Sequence, residues 1–311
     1  MMKVLVLGGT GWLGRLIARE FADHGYDVTI LTRGLKKDFT DDVAGIRWIV
    51  ADKSDESAMA EVLHEGYTHV IDSVPTEQSL ELVYKYASSL THYLHCSSTG
   101  GYAPLRTIPA NETSPYLGFQ GKGWNGKRLV DAHALQRFAL DGFPATVIRP
   151  CYITGPGKLP LDNLGGRRED FIKDIIEERP LDLPDNGLSL LQPIHVSELA
   201  RSFRLAVERP RISIGQVYNI CLDHAFTLNR YLEITAQAFG KKPVINYMSV
   251  DDLLAKYGSS IDEIGLRFLA THMCFDISKA RRDLGFEPRM TPEEAVVETA
   301  LWAARKQGLI K

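Results

Sequence analysis

At 311 residues and 44% hydrophobic content, the chain is long enough to bury a sizeable core and too apolar to remain disordered. Its 36 basic and 39 acidic residues leave a formal net charge of -3, which excludes the broad positive field that draws a protein onto a nucleic-acid backbone. No apolar run approaches the roughly 20 residues of a membrane span, and the cysteines Cys96, Cys151, Cys221 and Cys274 stand too far apart for a C-x-x-C zinc site or a disulfide framework.

The expectation is therefore a protein of a reducing cytoplasm, with no metal and no membrane partner. In chain order, residues 3–7 read as a buried strand, because the apolar run after Lys3 is cut off by glycines before it could serve as the core of a signal peptide. A helix is predicted over 14–25, and strands over 27–31, 47–50, 69–72, 93–96 and 145–148. Helices fall between them at 56–65, 77–88 and about 127–141, the last stopped by Gly142. Strands alternating with helices predict an α/β fold, a doubly wound parallel sheet with crossover helices. After Arg149 the rhythm breaks into turn formers, with one helix near 168–178 among prolines and glycines. VSELARSFRLAVE reads as a helix returning to the first part and QVYNIC as a further strand. Helical stretches follow from about 228 and 250, and Pro292 opens a C-terminal helix at its first turn.

GGTGWLG, residues 8–14, joins the first strand to the first helix. Gly8 permits the tight turn, Gly11 lets backbone amides approach a pyrophosphate, and Gly14 lets the helix pack on the sheet, while the helix N-terminus favours negative charge. With its G-x-x-G-x-x-G spacing, together with SSTGGYA (97–103), RPCYITGP (149–156), QPIHVSELA (192–200), VYNIC (217–221) and FDISKARRDLGFEP (275–288), the chain resembles the extended branch of the short-chain dehydrogenase/reductase superfamily. That branch comprises the nucleotide-sugar epimerases and dehydratases, and the resemblance runs nearly end to end. It implies a dinucleotide-binding Rossmann part over 1–155 with 196–224, and a smaller, mostly helical substrate region over 156–195 with 225–311. The second strand ends in LTRG, where Arg33 offers a guanidinium to a 2′-phosphate in place of a carboxylate for ribose hydroxyls. NADP is thus the expected cofactor, with NAD the alternative, and Lys36 and Lys37 lean the same way. The resemblance adds Thr10, Trp12, Leu13, Asp52, Lys53, Ser73, Ser97, Lys127 and Pro150 to the cofactor's surroundings. Asp52 falls where related proteins hold the adenine amino group, although an aspartate in a surface turn reads equally well there.

In this superfamily a Y-x-x-x-K pair shares one helix face. Its lysine holds the nicotinamide ribose and lowers the tyrosine's pKa, and a strand-end serine positions the substrate hydroxyl. Carried over by position, the serine is Ser98, the lysine is Lys127, and the tyrosine position is Gly123. Gly121, Gly123 and Gly126 would each cost a helix about 1 kcal/mol, so the helix is expected to begin later, at about residue 127, with Asn125 able to cap it. Tyr152 is the first candidate for the missing acid/base, with Tyr102 and Tyr116 as alternatives; the plainer reading of such a tyrosine is a packing residue. The substrate is expected to meet Ser98, Tyr102, Tyr152, Gln192 and His195, the last having a structural histidine as its plainer reading.

Three functions compete. The first is NAD(P)-dependent hydride transfer on a sugar or nucleotide-sugar by an atypical epimerase/dehydratase, which the substrate region favours. The second is a catalytically inactive NADP-binding sensor similar to the NmrA-like regulators. The third is RNA binding, because the chain also resembles the chloroplast stem-loop-binding atypical members in its Gly126-Lys127 pair and TRG strand ending. Near-neutral charge makes nucleic acid the weaker partner. The helices from about 77 and 127 pair across a two-fold axis in similar proteins, which makes a homodimer an expectation, set against packing of those faces on the domain's own core.

Overall fold

Alternation decides the centre of the molecule. In β1 (Lys3–Leu7), Val4 and Val6 enter one apolar cluster, Leu5 and Leu7 enter another, and all four are fully buried. Successive side chains of a strand point to opposite faces, so a sheet with such a strand at its centre must be covered on both. The structure, a computed structural model, describes residues 2–35, 40–117 and 122–311. Its further strands are β2 (Asp27–Thr32), β3 (Arg47–Val50), β4 (His69–Asp72), β5 (His92–Cys96), β6 (Ala145–Pro150) and the strand Val217–Ile220. Together with β1 they form a seven-stranded parallel sheet in the order Val217–Ile220, β6, β5, β4, β1, β2, β3.

One face is covered by α1 (Trp12–Asp23), through Leu13, Ile17 and Phe21, and by the helix Val196–Val207, through Leu199 and Phe203. The other is covered by α2 (Glu56–Leu63), α3 (Glu77–Tyr86) and α4 (Lys122–Asp141), through Met59, Leu80, Val83, Val130 and Ala134. The helix starts follow from their caps: the Asp55 side chain accepts from the Ala58 amide, and Thr76 forms a capping box with Ser79.

The doubly wound α/β sheet is the fold the sequence predicts, but α4 begins earlier than expected. Gly123 and Gly126 lie inside the helix and Asn125 belongs to its first turns, while Gly121 lies outside the described residues. The cost of the glycines is overcome by tertiary anchorage further along the same helix, where Val130 and Ala134 are buried and Lys127 and Asp131 reach the sheet.

The remaining chain is mostly helical, as expected, and also forms three two-stranded pieces. Tyr152–Thr154 pairs with Pro193–His195, Leu181–Pro184 with Ile245–Met248, and Leu190–Leu191 with Phe226–Thr227. The helix expected over 168–178 is confined to Phe171–Ile176, ending before Glu178 at φ 54°. A separate apolar cluster forms here around Phe171, Leu183, Leu228 and Leu232. The C-terminal helix Pro292–Lys306 touches both cores, with Ala295 in the sheet cluster and Val296 and Ala300 in the second. Among the described residues, no helix is long and apolar enough to cross a membrane.

At the edge of the sheet where β4 and β5 begin, His69 and His92 are register partners and both are buried. Burial pushes the His69 imidazole down to about 4 and that of His92 to about 3, His69 adding to the effect on His92. Thr146 donates its proton to the Ser213 carbonyl, so His92 Nε2 donates to Thr146 Oγ1 at 2.7 Å, which fixes the neutral tautomer. Both histidines fold uncharged, whereas the unfolded chain protonates them near pH 6.5. Stability is therefore full above pH 6.5 and falls as the pH drops toward 4 and then 3, by up to about 1.4 kcal/mol per pH unit for each histidine. Urea midpoints measured across this range should decline with acid in the native protein and decline less steeply in the His69→Gln/His92→Gln variant.

Candidate active site

The sheet order reverses direction between β1 and β4, and the C-terminal ends of those strands bound the crevice where a doubly wound fold binds its ligand. In the turn leaving β1, Gly8, Gly9 and Gly14 leave no room for a side chain. Gly8 has φ 78°, and a Cβ there would lie 2.8 Å from Ser73 Oγ. A Cβ on Gly14 would lie 2.3 Å from the Gly8 carbonyl oxygen, and one on Gly9 would meet Ile30 at 2.3 Å, a constraint that motif spacing alone did not single out. Gly11 caps α1 in an extended conformation with no side-chain hydrogen bond, so the first amides of the helix are presented to the crevice. These amides and the positive end of the helix dipole suit a pyrophosphate. Thr10 Oγ1 lies 2.6 Å from Thr32 Oγ1, Leu13 is buried, and Ser73 Oγ donates to the Leu7 carbonyl at 2.9 Å. The Trp12 indole reaches across to donate to the Pro156 carbonyl at 2.6 Å.

Beside this turn lies a cleft of about 490 Å³ lined by residues that include Thr10, Gly11, Arg33, Asp52 and Ser54. Asp52 accepts from the Ser54 amide at 2.9 Å and the Ser54 hydroxyl at 2.7 Å; these bonds, helped by Arg33 and Lys53, hold its carboxyl below the usual range. Lys53 also lines the cleft, but its ammonium is committed to the buried Asp72 at 2.9 and 3.1 Å and to the Val74 carbonyl. Lys36 and Lys37 lie outside the described residues.

The other end of the crevice is built on β5 and its exit. Lys127 Nζ donates to the Ser97 carbonyl at 3.0 Å. Ser98 Oγ accepts from the Gly100 amide at 3.1 Å, which leaves the serine's own proton for another acceptor. Four residues after Lys127, on the same helix face, Asp131 is buried beneath the strand end. Its carboxylate lies 2.8 Å from His95 Nε2 and accepts from Ser97 Oγ at 2.8 Å and Arg149 Nε at 2.9 Å. Burial would raise the carboxyl, but the hydrogen bond from His95 and the charges of His95 and Arg149 prevail and hold it low. Arg149 continues the network by donating to Tyr102 Oη at 2.7 Å, and Tyr102 donates to Asn219 Oδ1 at 3.1 Å. Burial pushes the Tyr102 phenol up to about 12, against the pull of Arg149. Tyr116 Oη donates to the Ser98 carbonyl at 2.7 Å and lies 3.2 Å from Ser97 Oγ. Asp131 and Arg149 were not singled out in the sequence; the four-residue interval from Lys127 to Asp131 was the available signal.

The other sequence candidates have different partners. Tyr152 Oη accepts from the Leu161 amide at 2.7 Å, and its ring packs against the second core beneath Arg167. It shares no hydrogen-bond partner with Lys127. Gln192 is buried with both ends of its amide used, donating to the Leu222 carbonyl and accepting from the Phe275 amide, each at 2.7 Å. His195 caps the helix Val196–Val207 by accepting at Nδ1 from the Ser197 amide, and its Nε2 stands 3.4 Å from Glu298. Burial lowers its imidazole despite the opposing pull of Glu298 and Glu198. Pro150 ends β6, and its carbonyl accepts from Thr99 Oγ1 at 3.2 Å.

A family model described as the NAD dependent epimerase/dehydratase family matches residues 4–81 and 67–221. The chain is 25% identical over 312 residues to the chloroplast stem-loop binding protein of 41 kDa b from Arabidopsis thaliana, covering 96% of this chain and 78% of that protein. It is 23% identical over 337 residues to the UDP-glucose 4-epimerase of Corynebacterium glutamicum, covering 97% and 95%. Among solved structures, an epimerase from Methanothermobacter thermautotrophicus is similar with a TM-score of 0.79 at 20% identity, over 99% of this chain and 94% of that one. The UDP-glucose 4-epimerase of Thermotoga maritima, solved with UDP-glucose, gives 0.77 at 18% identity, over 99% and 100%.

The buried network makes a measurable demand on stability. Asp131→Ala leaves the Arg149 guanidinium buried without its counter-charge and should cost about 3–5 kcal/mol. Adding Arg149→Leu should return part of that loss, read as a non-additive double-mutant cycle in urea denaturation.

Proposed function

Because the chain belongs to the NAD dependent epimerase/dehydratase family, we propose that it is an enzyme moving hydride between a nicotinamide dinucleotide and a sugar carbon of a nucleotide-sugar. The observation that carries this reading is the Lys127 ammonium, 3.0 Å from the Ser97 carbonyl and one residue from Ser98, at the end of the strand beside β4. A lysine and a serine hydroxyl at that end, with a glycine-rich turn for a diphosphate at the other, would place a nicotinamide beside a carbinol for hydride transfer.

When bound, the nicotinamide supplies or takes up hydride. The chain's own groups do the rest. Amides of the turn and of the first turn of α1 hold the pyrophosphate, and Arg33 meets a 2′-phosphate, which favours NADP over NAD. Lys127 commits one of its three N–H donors to Ser97 and keeps the others for ribose hydroxyls. Ser98 offers its proton to the reacting oxygen. The relatives that are UDP-glucose 4-epimerases, and the neighbouring structure that contains UDP-glucose, support a nucleotide-sugar as substrate.

A second reading, RNA binding, is favoured by one observation, the similarity over 96% of the chain to the chloroplast stem-loop binding protein. The net charge of -3 weighs against it.

Fluorescence titration separates these readings. NADPH is expected to bind more tightly than NADH, and Arg33→Ala should weaken NADPH by about 10- to 100-fold, the worth of a charge-assisted contact, while leaving NADH within about threefold. Incubation with UDP-glucose or dTDP-glucose should then alter the sugar, as followed by NMR. Binding without turnover would favour the sensor, whereas loss of both dinucleotides alongside salt-sensitive capture of a structured RNA would favour the RNA reading.

A further inference from the structure

Position 123 carries no hydroxyl, but another part of the chain brings one to the same strand end. Tyr116 reaches the end of β5 from the segment that precedes α4, and its oxygen stands 2.7 Å from the Ser98 carbonyl and 3.2 Å from Ser97 Oγ. Lys127 is anchored on the Ser97 carbonyl, the neighbouring peptide unit. Ser97 gives its own proton to Asp131 and can only accept from Tyr116, whose O–H takes the nearer acceptor, the Ser98 carbonyl; the Ser98 hydroxyl keeps its own proton available.

The ring is held from several sides. A Cβ on Gly101 would lie 2.2 Å from Tyr116 Cζ and 2.6 Å from its oxygen, so the second glycine of SSTGGYA is what admits the phenol. Above the ring the Arg149 guanidinium carbon lies 3.4 Å from the centroid, and Tyr102 meets it edge-on at 4.8 Å. Tyr102 donates its proton to Asn219 while accepting from Arg149, and Tyr152 packs against the second core with its oxygen accepting from the Leu161 amide. Of the three candidate tyrosines, Tyr116 is the one on the serine-bearing strand end.

We propose that Tyr116 is the catalytic hydroxyl that exchanges a proton with the substrate oxygen, with Lys127 as its partner, through a spacing of eleven residues that replaces Y-x-x-x-K. The proposal rests on the hydride-transfer reading above. In the direction of carbonyl reduction, the carbonyl carbon takes a hydride with its two electrons from a reduced nicotinamide dinucleotide. The oxygen of the opened C=O bond takes the Tyr116 proton, and the phenolate left behind is reprotonated by water. Burial and the charge of Asp131 push the resting phenol up, while Arg149 pulls it down. Tyr116 therefore waits protonated, as a proton donor should, with a cation stacked on the ring to receive the developing negative charge.

The test uses the full chain labelled with carbon-13 at tyrosine Cζ, the Tyr116 resonance being the one missing from Tyr116→Phe. Saturating NADP+ is expected to shift this resonance and lower the pH at which it titrates, leaving that of Tyr152 in place, and Lys127→Met should abolish the change. With whichever of UDP-glucose and dTDP-glucose the native protein alters, Tyr116→Phe should lose about 10²- to 10⁴-fold in turnover. NADPH affinity should stay within about twofold, and Tyr152→Phe should remain near the native rate. A Tyr116 resonance indifferent to bound NADP+, or native turnover in Tyr116→Phe, would overturn the proposal and leave the hydride-transfer reading standing. Failure of both NADP+ and NAD+ to bind would remove the two together. If neither sugar is altered, the resonance decides.

Discussion

The carboxylate of Asp131 is the constraint on which this site depends. Burying it beneath the end of β5 would be costly without partners, and the fold supplies them from three separate places: His95 and Ser97 on β5 and its exit, and Arg149 on β6. Each bond fixes α4 against a strand. Because Lys127 lies one helical turn before Asp131, fixing the carboxylate also fixes where the ammonium emerges. A helix opening with Gly123 and Gly126 has poor intrinsic propensity, and this anchorage together with the buried Val130 and Ala134 explains why it forms nonetheless.

The two ends of the crevice are built on different principles. At the glycine turn, the proposed diphosphate contact is a property of the backbone: Gly8 and Gly14 leave no room for side chains, and α1 starts at Gly11 without a side-chain cap. At the other end the proposed roles belong to side chains, and the backbone yields to them at Gly101, where the Tyr116 ring occupies the space that a Cβ would take. Arg149 joins its face to Tyr116 and its hydrogen bonds to Asp131 and Tyr102. A change at any of these residues is therefore felt by the others, which is the behaviour of a satisfied buried polar network.

What was legible in the sequence follows from the range of the interactions. β1, β3 and β4 lie where periodicity predicts them, because strand alternation and glycine punctuation are local signals. The glycine turn was legible for the same reason. The start of α4 was not, since local propensity argued for a later start and contacts with distant strands override it. The small strand pairs of the remaining chain were also missed: two-residue ladders such as Leu190–Leu191 with Phe226–Thr227 carry no period to read. Tyr152 was weighed first because it sits in a motif beside Pro150. Its hydroxyl partner lies nine residues further on, at Leu161, whereas Tyr116 and Lys127 each bond a strand end about twenty and thirty residues before them. Only a folded chain reveals which tyrosine reaches that strand end.

The same long-range logic ties the phosphate turn to the rest of the crevice. Trp12 fills a variable position of the glycine motif, yet its indole donates to Pro156 and its ring lies under Lys158 Nζ at 5.6 Å. Gly157, at φ 101°, is forced to be small by the same indole, since a Cβ there would stand 2.8 Å from the Trp12 ring and 2.5 Å from Arg15. Arg15, buried on α1, pairs in turn with Asp42 beyond β2. The half-buried glycine turn is thus clasped by a loop that runs directly from Tyr152–Thr154 into the second core. A diphosphate held by the amides of α1 would press on the N-terminal turn that carries Trp12, and the loop beyond Pro156 shares that contact. The residue that motif spacing leaves open is therefore one through which the glycine turn meets the loop beyond Pro156.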